Sequence, residues 1–360
     1  MEAMEKFAPL LKRSEGFEGL NRVIIDQGYC TKCGACASFC YHLIIKDIPE
    51  LDTDCSLGHD VIKCSDNGTC YDVCPMTETD IKALEEEFLE GTTEEGIGLV
   101  KELYAIKTGV EGQDGGVVSS LLILGIENGV FDAVIVAVKE DGFRATPIIA
   151  ETVEDIKRAS GTKYVAVSMV EKIGDAIRDG KRKIALVGTP CQIRATRKLQ
   201  DVLLKNVPQV ELTLMGLFCM ENFDYEMLKN KVKELMDIDI DKADKLDITK
   251  GNFIVSIDGK EVSCKVGELD DAVRTNCEFC EDFASEMADI SVGSVGSPAG
   301  FSTVIIRSKK GKEVFDMLKD ASEDSVNKDV LKRAAQIKKE KVKEKLGGDV
   351  PPILRGDEND

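Results

Sequence analysis

The sequence predicts an α/β core, a mixed sheet with flanking helices, preceded by a small cysteine-rich α+β domain. Three observations predict it. From residue 100 onward, apolar runs of strand length alternate with helical runs, the pattern of a sheet with helices on its faces. Residues 25 to 80 hold eight of the thirteen cysteines. The chain has only two histidines, His42 and His59, both inside that same segment.

Taken in order, residues 1–24 read as a short charged leader. Residues 25–95 form the cysteine-rich domain, closed by the acidic helix and linker "ETDIKALEEEFLEGTTEEG". Residues 96–325 form the core. Its elements read as strand "YAIKTGV", helix "GVVSSLLILGIEN", strands "DAVIVAV" and "KIALVG", helix "QIRATRKLQ", strand "ELTLMGLF" and helix "YEMLKNKVKEL". "NFIVSIDGKEVSCKV" is a hairpin turning at Asp258-Gly259, because that pair supplies two positive-φ residues. Val262, Cys264 and Val266 share one face of its second strand, so Cys264 is expected to be a buried core thiol. Residues 326–360 give a basic helix and tail, ended by Gly347-Gly348 and Pro351-Pro352. That helix either docks a partner subunit or is a solvated face with cations near its C-terminus.

With 360 residues and 43% apolar content, the chain can bury real cores. A net charge of -19 argues against unassisted binding to nucleic acid or to an anionic membrane surface. The first twenty residues are charged throughout with no apolar h-region, and "VVSSLLILGI" is far shorter than a membrane span. A cytoplasmic location without direct membrane insertion is expected, and there thiols stay reduced and act as metal ligands rather than disulfides. Two histidines nearly exclude a His-based triad or a His-rich metal site outside that segment. Redox cofactors must supply the reactivity.

"CTKCGACASFC" spaces Cys30, Cys33, Cys36 and Cys40 as in bacterial ferredoxins, where three thiolates hold one cubane and the fourth reaches a second. Gly34 lets the backbone bend around the sulfides. The run Cys55, Cys64, Cys70, Cys74-Pro75 keeps the closing C-x3-C-P step. Cys30, Cys33, Cys36 and Cys74 are therefore expected to hold one 4Fe-4S cluster, and Cys40, Cys55, Cys64 and Cys70 another. Tyr41, in place of proline after Cys40, and the long gaps around Cys55 and Cys64 depart from the pattern. Zinc is the alternative, although zinc ribbons favour two separated C-x2-C pairs. Four cysteines remain: Cys191 in "VGTPCQIR", Cys219 in "GLFCME", and Cys277-x2-Cys280. Cys191 and Cys219 follow the ends of apolar strands, where an α/β sheet gathers its site residues. These four are expected to hold a third 4Fe-4S cluster; taken singly, each could be an ordinary buried thiol.

Neither a G-x-G-x-x-G after a strand nor a Walker A sequence is present. "GVEGQDGGVVSS" runs from a strand through a glycine-rich turn into a helix, which suits a pyrophosphate. A plain helix start capped by Asp114 explains it equally well.

In order along the chain, "GQDGGVVSSLL", "ASGTKYV", "IALVGTPCQIRATRKL", "GLFC" and "CEFCEDFASEMADISVGSVGSPAGFSTVIIR" resemble the family of coenzyme F420 hydrogenase/dehydrogenase β subunits over roughly residues 105 to 310. The resemblance implies a flavin-binding α/β core that passes a hydride between FAD and coenzyme F420 and feeds electrons to iron–sulfur clusters. It implies that Gln113, Asp114, Gly115, Gly116, Val117 and Ser119 lie against FAD. Gly161, Thr162, Lys163 and Tyr164 would complete that pocket, with Thr162 standing where serine is frequent. A double-ferredoxin segment ahead of the GTPCQ block is similar in layout to the electron-input subunit of F420H2 dehydrogenases and to the N-terminal half of F420-dependent sulfite reductases. Electrons would leave to, or arrive from, partner subunits of a larger redox complex. Lys163, Arg194, Arg197 and Lys198 are candidate cations for the anionic deazaflavin tail, or solvated surface charges. The rival from another class is a flavin-free, polyferredoxin-like adaptor, which leaves the glycine-rich and GTPCQ segments without a role.

Overall fold

The computed structural model describes residues 16–40, 42–52, 68–110, 112–140, 142–207 and 209–345. Cys55 and Cys64 lie outside these, as do Tyr41, most of the expected leader and the closing Gly-Gly and Pro-Pro steps.

Helix α1 (Gly16–Leu20) runs directly into a π-turn, Asn21–Ile25. Leu20, Val23, Ile24 and Ile25 are buried against Leu43, Cys70, Tyr71 and Cys74, so these residues belong to the core of the cysteine-rich segment. Helix α2 (Ala35–Ser38), the hairpin β1 (Leu43–Ile45) and β2 (Pro49–Leu51), and helix α3 (Thr69–Asp72) follow. Helix α4 (Ile81–Phe88) starts where the Asp80 carboxylate accepts from Ala83 N at 2.9 Å. Where a linker was expected, residues 92–100 form a second hairpin, β3 (Thr92–Glu94) with β4 (Gly98–Val100). Composition hid it, because the apolar partners of Ile97 and Val100 come from Leu331 and Ala335, far along the chain.

The core continues with β5 (Glu102–Lys107), α5 (Val117–Glu127), β6 (Ala133–Lys139), β7 (Ala145–Ala150), α6 (Val153–Arg158) and α7 (Glu171–Arg178). Next come β8 (Lys183–Gly188), α8 (Pro190–Val202), β9 (Glu211–Leu217) and α9 (Tyr225–Met236). A three-stranded meander follows: β10 (Lys245–Thr249), β11 (Asn252–Ile257) and β12 (Lys260–Lys265). The chain returns as β13 (Ile290–Gly293), β14 (Ser302–Ile306), α10 (Lys309–Phe315), β15 (Ser322–Asp324) and α11 (Lys328–Lys345). The large sheet has the order β15-β5-β14-β13-β9-β8-β6-β7. Four adjacent strands, β13, β9, β8 and β6, are parallel, and every other pairing is antiparallel, so the sheet is mixed as expected.

The parallel strands are apolar along their length because both faces are covered. One face packs Ile173 of α7 and Ile193 and Leu199 of α8. The other packs Leu121 of α5, Ile156 of α6 and Val314 of α10. Arg197, 2% exposed, pairs at 3.1 Å with Asp289 and donates to Met287 O at 2.9 Å. The β11–β12 turn has Asp258 at φ +50° and Gly259 at φ +73°, as its sequence demands. Cys264 corrects an expectation. It is only half-buried, and Val262 on the same face is exposed, because β12 is the edge strand of the meander. Among the described residues no helix is long and apolar enough to cross a membrane.

Candidate functional site

Strands β8 and β9 lie side by side and parallel, with Gly188 opposite Gly216, so their carboxyl ends open at the same edge of the sheet. Beyond β8, Thr189 is the N-cap and Pro190 the first residue of α8. Gln192 Oε1 accepts from Thr189 N at 2.8 Å, and Gln192 Nε2 donates to Val167 O at 2.7 Å. The GTPCQ block is thus a rigid strand-to-helix corner that fixes Cys191, whose sulfur lies 3.3 Å from Thr189 Oγ1. Beyond β9, Cys219 N donates to Phe283 O at 2.9 Å. The 277–280 loop is laced to the same corner: Arg274 N donates to Asn222 O at 3.0 Å and Asn222 N to Cys277 Sγ at 3.3 Å.

The four core cysteines therefore face one another. Burial pushes the Cys277 thiol up to about 12, and Cys191 and Cys280 nearby add to the shift. Burial also raises Cys191, with Cys280 adding. Cys219 is pushed well up by burial, opposed by the Lys338 ammonium and reinforced by Cys277, Cys191 and Cys280. Such thiols ionise only when a strong cationic centre takes them as thiolates. Among the described residues, no three His, Cys, Asp or Glu side chains close on a point as a single metal ion requires. A tetrahedral zinc needs every sulfur about 2.3 Å from one atom. An all-cysteine donor set is the chemistry that a cubane takes, one thiolate to each iron corner.

The N-terminal set behaves alike. Cys36 is pushed well up by burial, then by the facing thiols of Cys33, Cys74, Cys30 and Cys70. Burial lifts Cys74 to about 11. Cys36 thus lies near Cys30, Cys33 and Cys74, and near Cys70, which was expected in the second set, as well. Cys40 and Cys70 are the described half of the second expected set. Gly34, at φ +87°, turns the loop where a Cβ would meet Glu171 N at 2.9 Å.

The two thiol centres are neighbours. Arg274 Nη2 donates to Cys30 O at 3.0 Å, and the rings of Tyr29 and Phe279 meet edge to face at 4.8 Å. A small cavity of about 20 Å³ has Thr31, Pro75 and Met76 on one side and Cys191 and Cys280 on the other. Lys198, two turns along α8 from Cys191, donates to Cys74 O, Thr77 Oγ1 and Glu78 O at 2.7, 2.7 and 2.8 Å. Arg197 and Lys198 are buried and so are neither solvated nor free for a substrate tail. Arg194 lines the cavity instead.

The glycine-rich loop between β5 and α5 folds back on itself, with Thr108 N donating to Gly115 O at 2.8 Å. Gly116, at φ +69°, is the N-cap of α5 and has no side chain of its own to cap it. Gln113 joins the loop to residues 161–164: Thr162 N donates to Gln113 Oε1 at 2.7 Å, and Gln113 Nε2 reaches the Tyr164 hydroxyl at 3.2 Å. Val117 is buried, Ser119 is half-buried one turn into α5, and Gly161 and Thr162 are exposed beside them. The Lys163 ammonium is turned onto the carbonyls of Ala159, Ser160 and Gly161, and burial lowers it to about 8.

Lys338 escaped the sequence reading. It is 3% exposed and donates to Cys219 O at 2.7 Å and Asp282 O at 2.8 Å. Its signal was spacing, since Leu331, Ala335, Lys338 and Val342 form one buried stripe of α11.

Fold and site are those of a mixed α/β protein with neighbouring groups of buried thiols. More narrowly, the chain belongs to the family of coenzyme F420 hydrogenase/dehydrogenase β subunits, whose N-terminal model matches residues 105–173 and whose C-terminal model matches residues 181–328. It is 35% identical over 343 residues to a coenzyme F420-dependent sulfite reductase of Methanocaldococcus jannaschii, covering 90% of this chain but only 51% of that one. It is 31% identical to a subunit of the F420H2 dehydrogenase of Methanosarcina mazei, covering 83% of this chain and 85% of that one. A chain of the F420-reducing NiFe hydrogenase complex from Methanosarcina barkeri superposes with a TM-score of 0.67 at 30% identity, covering 71% of this chain and 94% of that one.

Proposed function

We propose that this chain is an F420-linked flavin iron–sulfur oxidoreductase subunit that exchanges electrons with a partner protein. When bound, FAD would take the hydride pair from reduced coenzyme F420, and 4Fe-4S clusters would accept its electrons singly. The chain's own residues do the positioning. The amides at the start of α5, from Val117 to Ser119, receive the pyrophosphate, and Gln113 locks that loop to Thr162 and Tyr164. Cys191, Cys219, Cys277 and Cys280 hold the core cluster; Cys30, Cys33, Cys36 and Cys74 hold its N-terminal neighbour. Arg274 and Lys198 keep the two centres side by side. Hydride exchange between two flavin-type rings needs no protein acid or base, in keeping with two histidines in 360 residues.

The observation that supports this reading is that Cys191, Cys219 and the Cys277–Cys280 pair, from three separate segments, lie within electrostatic reach of one another. Anaerobically purified protein should contain flavin, iron and acid-labile sulfide, and added reduced coenzyme F420 should bleach the flavin. Flavin-replete protein that stays yellow rejects the deazaflavin as substrate. Iron and sulfide without flavin leave an electron-carrying adaptor.

A further inference from the structure

The C-terminal helix α11 begins at the last residue of the matched family region, and its buried face lies on the core thiol loops. Three of its lysines fall at intervals of three and four residues, on one side of the helix. Lys338 donates to the carbonyls of Cys219 and Asp282. Lys341 pairs with Glu221 at 3.1 Å and Lys345 with Glu278 at 2.7 Å. Each of the two loops that bring core cysteines, 219–221 and 278–282, is thus gripped by the same helix face. The N-terminal centre has the same device in Lys198, whose ammonium holds Cys74 O. A fully buried ammonium needs compensation, which the buried Asp282 carboxylate nearby begins to give. Four thiolates on a cluster would add to that compensation.

Resting on the core-cluster reading above, we propose that Lys338 is a positioning and charge-compensating residue for the Cys191/Cys219/Cys277/Cys280 centre, and that α11 is the strap that presents it. The chain as a whole carries a charge of -19, which opposes adding an electron anywhere on it. A cation fixed in the low-dielectric interior beside one centre favours that centre's reduced, more negative form and raises its potential. The same ammonium joins the Cys219 and Cys280 sides of the site, since Asp282 is two residues beyond Cys280.

Redox titration of the full-length, anaerobically purified chain, followed by electron paramagnetic resonance, tests this. The wave missing from Cys277→Ala belongs to the core centre. In Lys338→Met that wave should shift to lower potential while the remaining waves stay in place, and Lys338→Arg should restore most of the shift. Lys338→Gln keeps a hydrogen-bond donor without the charge; it should shift like the methionine variant and gives the reading if that variant does not fold. A loaded core centre whose potential ignores both neutral substitutions overturns the inference. Wild-type protein lacking iron and sulfide would instead refute the cluster reading beneath it.

Discussion

Single side chains divide here into those that hold chemistry and those that hold the holders. Cys264 and Cys277 are both half-buried thiols, but only Cys277 faces other cysteines. Cys277→Ala should remove one cluster's share of iron and acid-labile sulfide, and Cys264→Ala none; equal losses by chemical assay would break that distinction. Arg197 and Asp289 are 2% and 4% exposed, and removing either leaves a buried charge without its partner. Arg197→Ala should lower the unfolding free energy by about 3–5 kcal/mol in denaturant titration, without touching a cysteine. The candidate ligand cysteines could be picked out in sequence because thiols at such fixed spacings have few other uses. Arg197, Lys198 and Lys338 were not, because a cation has the same letter on a surface and in a core.

At the scale of elements, α7 matters more than its polar sequence suggests. Gly174 sits where a Cβ would run into the Ser38 carbonyl, and its own amide donates to Ser38 Oγ at 3.0 Å. Helix α7 is thereby pressed onto α2, which carries Cys36 and ends close to Cys40. Alanine raises helix propensity by about 1 kcal/mol, but the overpacking costs about 1–3 kcal/mol and the rigid backbone of Ser38 must move. Gly174→Ala should therefore lower the melting temperature, and a rise would show that the contact yields freely. Strands β5, β6, β8 and β9 and helices α5, α8 and α9 were readable from period, but β7, β13, β14 and β15 were not named. The β3–β4 hairpin was not, because its apolar cover, Leu331 and Ala335, lies more than two hundred residues away.

Across the whole molecule, ion pairs tie α11 to distant parts of the chain. The Glu94 carboxylate is held below its ordinary value by Lys328 and Lys332, each at 2.9 Å. A depressed carboxylate contributes stability that is full above its unfolded value and is lost as pH falls through its folded one. Glu94→Gln should therefore destabilise the protein at neutral pH by less than about 1 kcal/mol, and by nothing in strong acid, where both forms are neutral. Thermal melts at the two pH values, with hydrogen exchange across residues 328–345, read this directly; an equal loss in acid would assign the effect to packing.

The sequence by itself determined the alternation of strands and helices, the ferredoxin-type cysteine spacing, the glycine-rich turn into α5 and the family, because each depends on neighbours within a few residues. Only the tertiary structure decided that Cys191, Cys219 and the Cys277–Cys280 pair come near one another. It also decided that the N-terminal thiols dock beside them, and that a basic helix turns one lysine inward to their carbonyls. Those facts depend on which strand ends adjoin and which faces are covered, and no local pattern of residues encodes that.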